Sequence, residues 1–123
     1  MVSAGRAFYK MCGSGNDFVF FDARAEPAGA FAEAAEIRRL CARGTGIGAD
    51  GVVFLEPSEV GAVRMAYYNS DGSRATLCGN ATLCTARLAV ELGAASSDGF
   101  VIETDAGAIP ARLRNGQPEI ELP

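Results

Sequence analysis

The stretch "LCGNATLC" sets Cys78, Gly79 and Asn80 at the start of an apolar helical pattern. The first N–H groups of a helix have no partner inside it. Together with the helix dipole they attract negative charge, so a carboxylate fits there. The same field favours thiolate over thiol. Cys78 is therefore the candidate reactive cysteine, with the Gly79 and Asn80 N–H groups as anion donors. Cys84 lies deeper in the helix among apolar residues, and both it and Cys41 read as buried structural cysteines.

Three polar loops could join this chemistry. In "GSGNDF" (13–18) the plain reading is a hairpin turn. The sharper one is that Gly13 and Gly15 let backbone approach a ligand, with Asn16 offering both donor and acceptor. In "YYNSDGS" (67–73), Asn69 either caps its own turn or supplies a ligand-binding amide at a strand end. "GIGADG" (46–51) has the form G-x-G-x-x-G. A dinucleotide fingerprint needs a strand before it and a helix after it, and here the order is reversed. It reads instead as a tight helix-to-strand loop, with Asp50 expected to bond the loop's own backbone.

The elements that must position these residues follow from periodicity. Helices are expected over 31–43, stopped by Gly44, and over 80–92, stopped by Gly93. The second is apolar nearly all round and should be the buried centre of the molecule. Strands are expected over 6–11, 18–22, 51–56, 63–69, 100–104, 108–114 and 119–122. Their close spacing favours antiparallel hairpins over repeated βαβ units. The expected fold is α+β, a curved mostly antiparallel sheet wrapped around the 80–92 helix.

Composition narrows the function classes. The 123 residues fit one domain and carry a net charge of −4 with no basic cluster. A nucleic-acid surface needs a positive stripe, so nucleic acid is not an expected partner. No apolar run reaches membrane-span length, and the N-terminus lacks a signal-peptide pattern. A cytoplasmic, reducing setting with four free thiols is expected. There is no histidine, and the cysteines form no C-x-x-C pair, so no metal site is expected.

The segments "FYKMCGSGNDFVFFD", "RGTGIGADGVVFLE", "YYNSDGS" and "CGNATLCTARLA" occur in this order over nearly the whole chain. Together they resemble the N-terminal half of diaminopimelate epimerase and its pyridoxal-phosphate-independent relatives. The resemblance implies two similar α+β domains facing a cleft, each supplying one cysteine at a helix N-terminus. One cysteine, as thiolate, removes an amino-acid α-proton. The other returns a proton on the opposite face, with no cofactor. The first catalytic cysteine falls on Cys78. The amides that hold the substrate carboxylate fall on Gly79 and Asn80, and the side-chain amides that contact substrate fall on Asn16 and Asn69.

This sequence departs from the family at several points. Family chains are about twice as long, and none of Cys12, Cys41 or Cys84 matches the second cysteine's motif. The family's "CGNGxRC" becomes "CGNATLC", with Ala81 and Leu83 in place of glycine and arginine, and "MCG" stands where Met-His-Gly is usual. The expectation is that residues 1–123 form the first domain and that the second is absent from this chain. A separate second epimerase-like half ranks ahead of a homodimer with two copies of Cys78 facing each other. The alternative is a non-catalytic binding module that keeps the fold.

Overall fold

The computed structural model describes residues 6–123, and the reading of the extreme N-terminus, residues 1–5, lies outside them. The described residues form eight strands. These are β1 (Tyr9–Gly13), β2 (Asn16–Asp22), β3 (Gly51–Glu56), β4 (Val63–Asn69), β5 (Arg74–Ala75), β6 (Phe100–Thr104), β7 (Gly107–Arg114) and β8 (Gln117–Ile120). Two α-helices accompany them, α1 (Ala34–Cys41) and α2 (Gly79–Glu91).

All eight strands share one sheet in the order β1-β2-β3-β4-β6-β7-β8, with β5 pairing β4 beside this path. Most neighbours are antiparallel, as expected, but β2–β3 and β4–β6 are parallel. Each parallel pair is bridged by a helix, so two crossover units stand where the close strand spacing favoured hairpins over βαβ units. Both crossovers step the same way across the sheet, while β2 and β3 run opposite to β4 and β6. Crossovers of one hand must then put their helices on opposite faces.

The core divides accordingly. Phe18, Phe20, Val53, Leu55, Met65 and Tyr67 face inward and pack with α2. Val19, Phe21, Val52, Phe54 and Ala66 face outward and pack with Ile37, Leu40 and Cys41 of α1. This explains why β2 and β3 read as unbroken apolar runs, since each is buried on both faces.

Helix α2 is the buried centre. Both edge strands, β1 and β8, touch it, so the sheet curls around it. Thr82 and Thr85 are fully buried, and their hydroxyls donate to the carbonyls of Cys78 (2.7 Å) and Ala81 (2.8 Å). Buried hydroxyls are thereby satisfied within the helix. Gly93 (φ +75°) ends the helix as expected, with Gly93 N–H bonding Val90 O and Ala94 N–H bonding Ala89 O. This is the Schellman pattern.

Helix α1 is shorter than the 31–43 pattern. Extended Glu33 (φ −73°, ψ 142°) separates it from a 3-10 turn over Gly29–Ala32, and extended Ala42 ends it before Gly44. The glycine loop causes this early stop by folding back on the helix end. Gly48 N–H bonds Leu40 O (3.0 Å), Ala49 N–H bonds Cys41 O (3.1 Å) and Gly46 N–H bonds Ala42 O (2.9 Å). The "GIGADG" donors thus cap a helix C-terminus, the negative end of the dipole, which rules out a phosphate cradle.

Gly46 lies so close to α1 that a Cβ there would overlap the Arg39 carbonyl oxygen and approach Leu40 O to 2.9 Å. Both obstacles are backbone. Gly46→Ala is expected to lower stability by about 1–3 kcal/mol, measured by urea denaturation.

Candidate active site

The start of β2, the start of β3, the end of β4 and the N-terminus of α2 meet at one end of the curled sheet. Cys78 is the N-cap residue of α2 (φ −139°, ψ 116°) and is half-buried. No side chain caps the helix, and its first turn holds no acidic residue. The first helix-type bond is Thr82 N–H to Cys78 O, at 2.9 Å. Among the described residues, the N–H groups of Gly79, Asn80 and Ala81 have no protein acceptor. Three donors and the dipole therefore converge beside the Cys78 thiol. Ala81 is itself fully buried in the inner core, so its extra methyl points away from these donors.

The β1–β2 connection is a two-residue hairpin turn at Ser14 (φ +52°) and Gly15 (φ +88°). This is the plain reading of the loop, and it matches the twist of paired strands. Gly13 serves packing, because a Cβ on it would come within 3.0 Å of Cys84 Sγ on α2. Asn16 opens β2 on the inner face and meets the helix directly: Asn80 Nδ2 donates to Asn16 Oδ1 at 2.7 Å. Asn16 Nδ2 in turn donates to Asp50 Oδ2 at 3.1 Å.

Asp50 does not bond its own loop, as the sequence suggested. Its Oδ2 accepts from the Asp17 N–H (3.0 Å) as well as from Asn16, and its Oδ1 accepts from Arg43 (3.2 Å). The long-range partners win because the parallel register brings the two loops side by side, with Phe18 opposite Gly51. Asp17 completes the network. It receives both terminal nitrogens of Arg43 (3.0 and 2.7 Å) and pairs with Lys10 Nζ at 3.2 Å. The Arg43 guanidinium, and then Lys10, hold the Asp17 carboxyl well below the usual carboxylate range against the opposing effect of burial.

Asn69 stands opposite Gly51 at the end of β4, but its Nδ2 donates to Ser73 Oγ at 3.1 Å. Its amide NH2 therefore caps the turn, and the amide does not touch the Asn16–Asn80 pair. Cys41 and Cys84 are buried, and desolvation pushes both thiols up. Cys12 is exposed, opposite Asp17 in the hairpin. Two surface cavities lie elsewhere, one against β6, β7 and β8 and one between β1 and α2, and Cys78 lines neither. The residue that sequence reasoning missed is Asp50 in its bridging role. Among the described residues no metal-binding cluster is present, and no helix is long and apolar enough to cross a membrane.

A family model described as diaminopimelate epimerase matches residues 8–121. The chain is 50% identical over 117 residues to the diaminopimelate epimerase of Gemmatimonas aurantiaca, covering 94% of this chain and 42% of that one. It is 46% identical over 115 residues to that of Rhizorhabdus wittichii, covering 94% and 39%. The chain thus spans about two-fifths of the length of the curated relatives it matches. Among solved structures, a PhzF-family phenazine biosynthesis protein of Bacillus anthracis superposes with a TM-score of 0.60 at 25% identity, covering 92% of this chain and 37% of that one. A hydroxyproline epimerase from Agrobacterium vitis, with bound trans-4-OH-L-proline, shares the fold with a TM-score of 0.63 at 14% identity, covering 89% and 38%.

The depressed Asp17 carboxyl has a consequence for stability. A carboxylate favoured in the folded state contributes above its unfolded pKa, about 4, and that contribution fades as pH falls through the folded value. Arg43→Ala is therefore expected to be less stable than the parent at pH 7. Urea denaturation at a series of pH values should show the gap closing below about pH 4.

Proposed function

The chain belongs to the diaminopimelate epimerase family, and on that premise we propose that it is one half of an amino-acid epimerase that inverts an α-carbon with cysteine acid and base and no cofactor. The observation that carries this reading is the uncapped α2 N-terminus, with Cys78 at its N-cap and free N–H groups on Gly79 and Asn80.

The Cys78 thiolate takes the α-proton. The electron pair left on the α-carbon spreads into the substrate carboxylate, whose oxygens gain negative charge. Fixed N–H donors stabilise that charge without reorganising, which is where such a site gains most. A thiol on the opposite face then gives its proton to the α-carbon. The substrate leaves inverted, and the two sulfurs have exchanged protonation states. A thiol suits both steps because thiol pKa values can be tuned close to neutral.

The amides contribute orientation. Asn80 Oδ1 and Asn69 Oδ1 have no protein donor among the described residues, so each can accept from a substrate ammonium group. Asn16 holds the Asn80 amide in place and is itself held by Asp50. The second thiol comes from a second epimerase-like half, since Cys41 and Cys84 are buried and Cys12 stands exposed on the edge strand. The free thiols that this chemistry needs are kept reduced in the cytoplasm, where we place it. By family, diaminopimelate is the first substrate to try.

The test is α-deuterium incorporation in heavy water, using the native protein with its second half present and a panel of amino acids led by diaminopimelate. Cys78→Ala is expected to reduce incorporation by about 10²–10⁴-fold. Unchanged incorporation would remove Cys78 from the reaction.

A further inference from the structure

The Asn16 and Asn80 amides form a chain that has a direction. A side-chain amide offers an acceptor on one side and a donor on the other, and the two sides have nearly the same shape. Asn80 Nδ2 donates to Asn16 Oδ1 at 2.7 Å, and Asn16 Nδ2 donates to Asp50 Oδ2 at 3.1 Å. With both amides turned over, the Asn80–Asn16 bond would form equally well in the opposite sense. The pair by itself does not choose between the two.

Asp50 makes the choice. An ionised carboxylate only accepts, so the group that Asn16 turns to it must be the NH2. The Asp17 N–H donates to the same Oδ2 at 3.0 Å, and a backbone N–H cannot be turned over. Asp50 is clamped in return. Its own N–H donates to Asp17 O (2.8 Å) and to Asp17 Oδ1 (3.1 Å), and Arg43 donates to its Oδ1 at 3.2 Å. The direction then passes along the chain. Asn16 shows Oδ1 to Asn80, Asn80 turns its NH2 to that oxygen, and Asn80 Oδ1 is the end left over.

We infer that Asp50 is a positioning residue that fixes the polarity of this amide chain, so that the α2 N-terminus offers an acceptor, Asn80 Oδ1, beside its backbone donors. A site built in this way takes a zwitterion, with a carboxylate on the Gly79 and Asn80 N–H groups and a cationic group on Asn80 Oδ1. Turned over, the chain would present an NH2 in that place and repel the cation. The inference rests on the epimerase reading for this purpose, though not for its hydrogen bonds.

The test is a mutant cycle between positions 50 and 80, which are joined only through Asn16. It is read as the folding equilibrium of the native protein in urea. Asn80→Asp removes the donor that Asn16 Oδ1 needs. In the parent, Asn16 is held and cannot turn to meet the new carboxylate, and the folding constant is expected to fall by about 10–100-fold. In Asp50→Ala, Asn16 is free to turn its NH2 over, and the effect of Asn80→Asp should shrink to about 2-fold, the scatter of independent sites. Asp50→Asn separates polarity from charge. The Asp17 N–H keeps an amide oxygen in the old place, so the direction survives without the carboxylate, and Asn80→Asp should again cost about 10–100-fold.

An equal effect of Asn80→Asp in all three backgrounds overturns the inference. So does an effect lost in both Asp50 variants, which would mark plain repulsion between two carboxylates. If Asp50→Ala does not fold, the parent decides. The Asn16 NH2 and the Asp17 N–H point at one oxygen, so their protons should show a nuclear Overhauser effect in isotope-labelled protein, and its absence overturns the inference. None of these readouts requires turnover. A polarity upheld by them, with no effect of Cys78→Ala on deuterium incorporation, would sink the epimerase reading and leave the role of Asp50 standing.

Discussion

Helix α2 carries apolar or internally satisfied side chains on most of its circumference, and a flat sheet covers only one side of a helix. Burying it requires the sheet to curl until both of its edges, β1 and β8, reach the helix. Most of what matters at the site follows from that demand. The curl fixes the axis of α2, the axis fixes where its unpaired N–H groups point, and Cys78 takes its place from them. A helix with one apolar stripe would have been content on an open sheet, with its N-terminus free to sit at many angles.

The second constraint is electrostatic and lies on the other side of the strands. Asp17 faces outward to Arg43 and Lys10, while Asn16, its neighbour in β2, faces inward to Asn80. Asp50 joins the two sides by accepting from both Asn16 and the Asp17 backbone. The charged cluster and the inner amides are thus one connected framework, with charge kept outside and neutral amides beside the cysteine. An ionised carboxylate on the inner side would compete for the same N–H donors as a substrate carboxylate.

Much of this was legible in the sequence. Strands β3, β4 and β6 lie where their alternating or continuous apolar runs put them, and the α2 N-terminus could be read from one Cys-Gly-Asn step before an apolar helix. The parallel pairings were not legible. An apolar run buried on two faces carries no mark of which neighbour it pairs with or in which direction. Helix α1 was overextended because Phe31 and Ala42 fit the helical period, while Glu33 and the returning glycine loop, both tertiary matters, broke it at each end. Asp50 was assigned a local partner because local bonds are all that spacing can reveal.

The apolar character of β2 on both faces has one more consequence. In a strand with a single buried face, the core polices register, since a slip of one residue turns every hydrophobe to water. Here a slip would exchange Phe18 and Phe20 for Val19 and Phe21, and both sets are greasy enough for either side. What pins the strand is the tight Ser14–Gly15 corner with its two left-handed residues, together with the outward pairing of Asp17 with Arg43 and Lys10. The direction in which Asn16 looks is therefore guarded by turn geometry and that charged pairing more than by the hydrophobic core. A lineage could lose that guard by a small insertion or deletion in the corner, keep a well-packed domain, and aim Asn16 at the wrong helix.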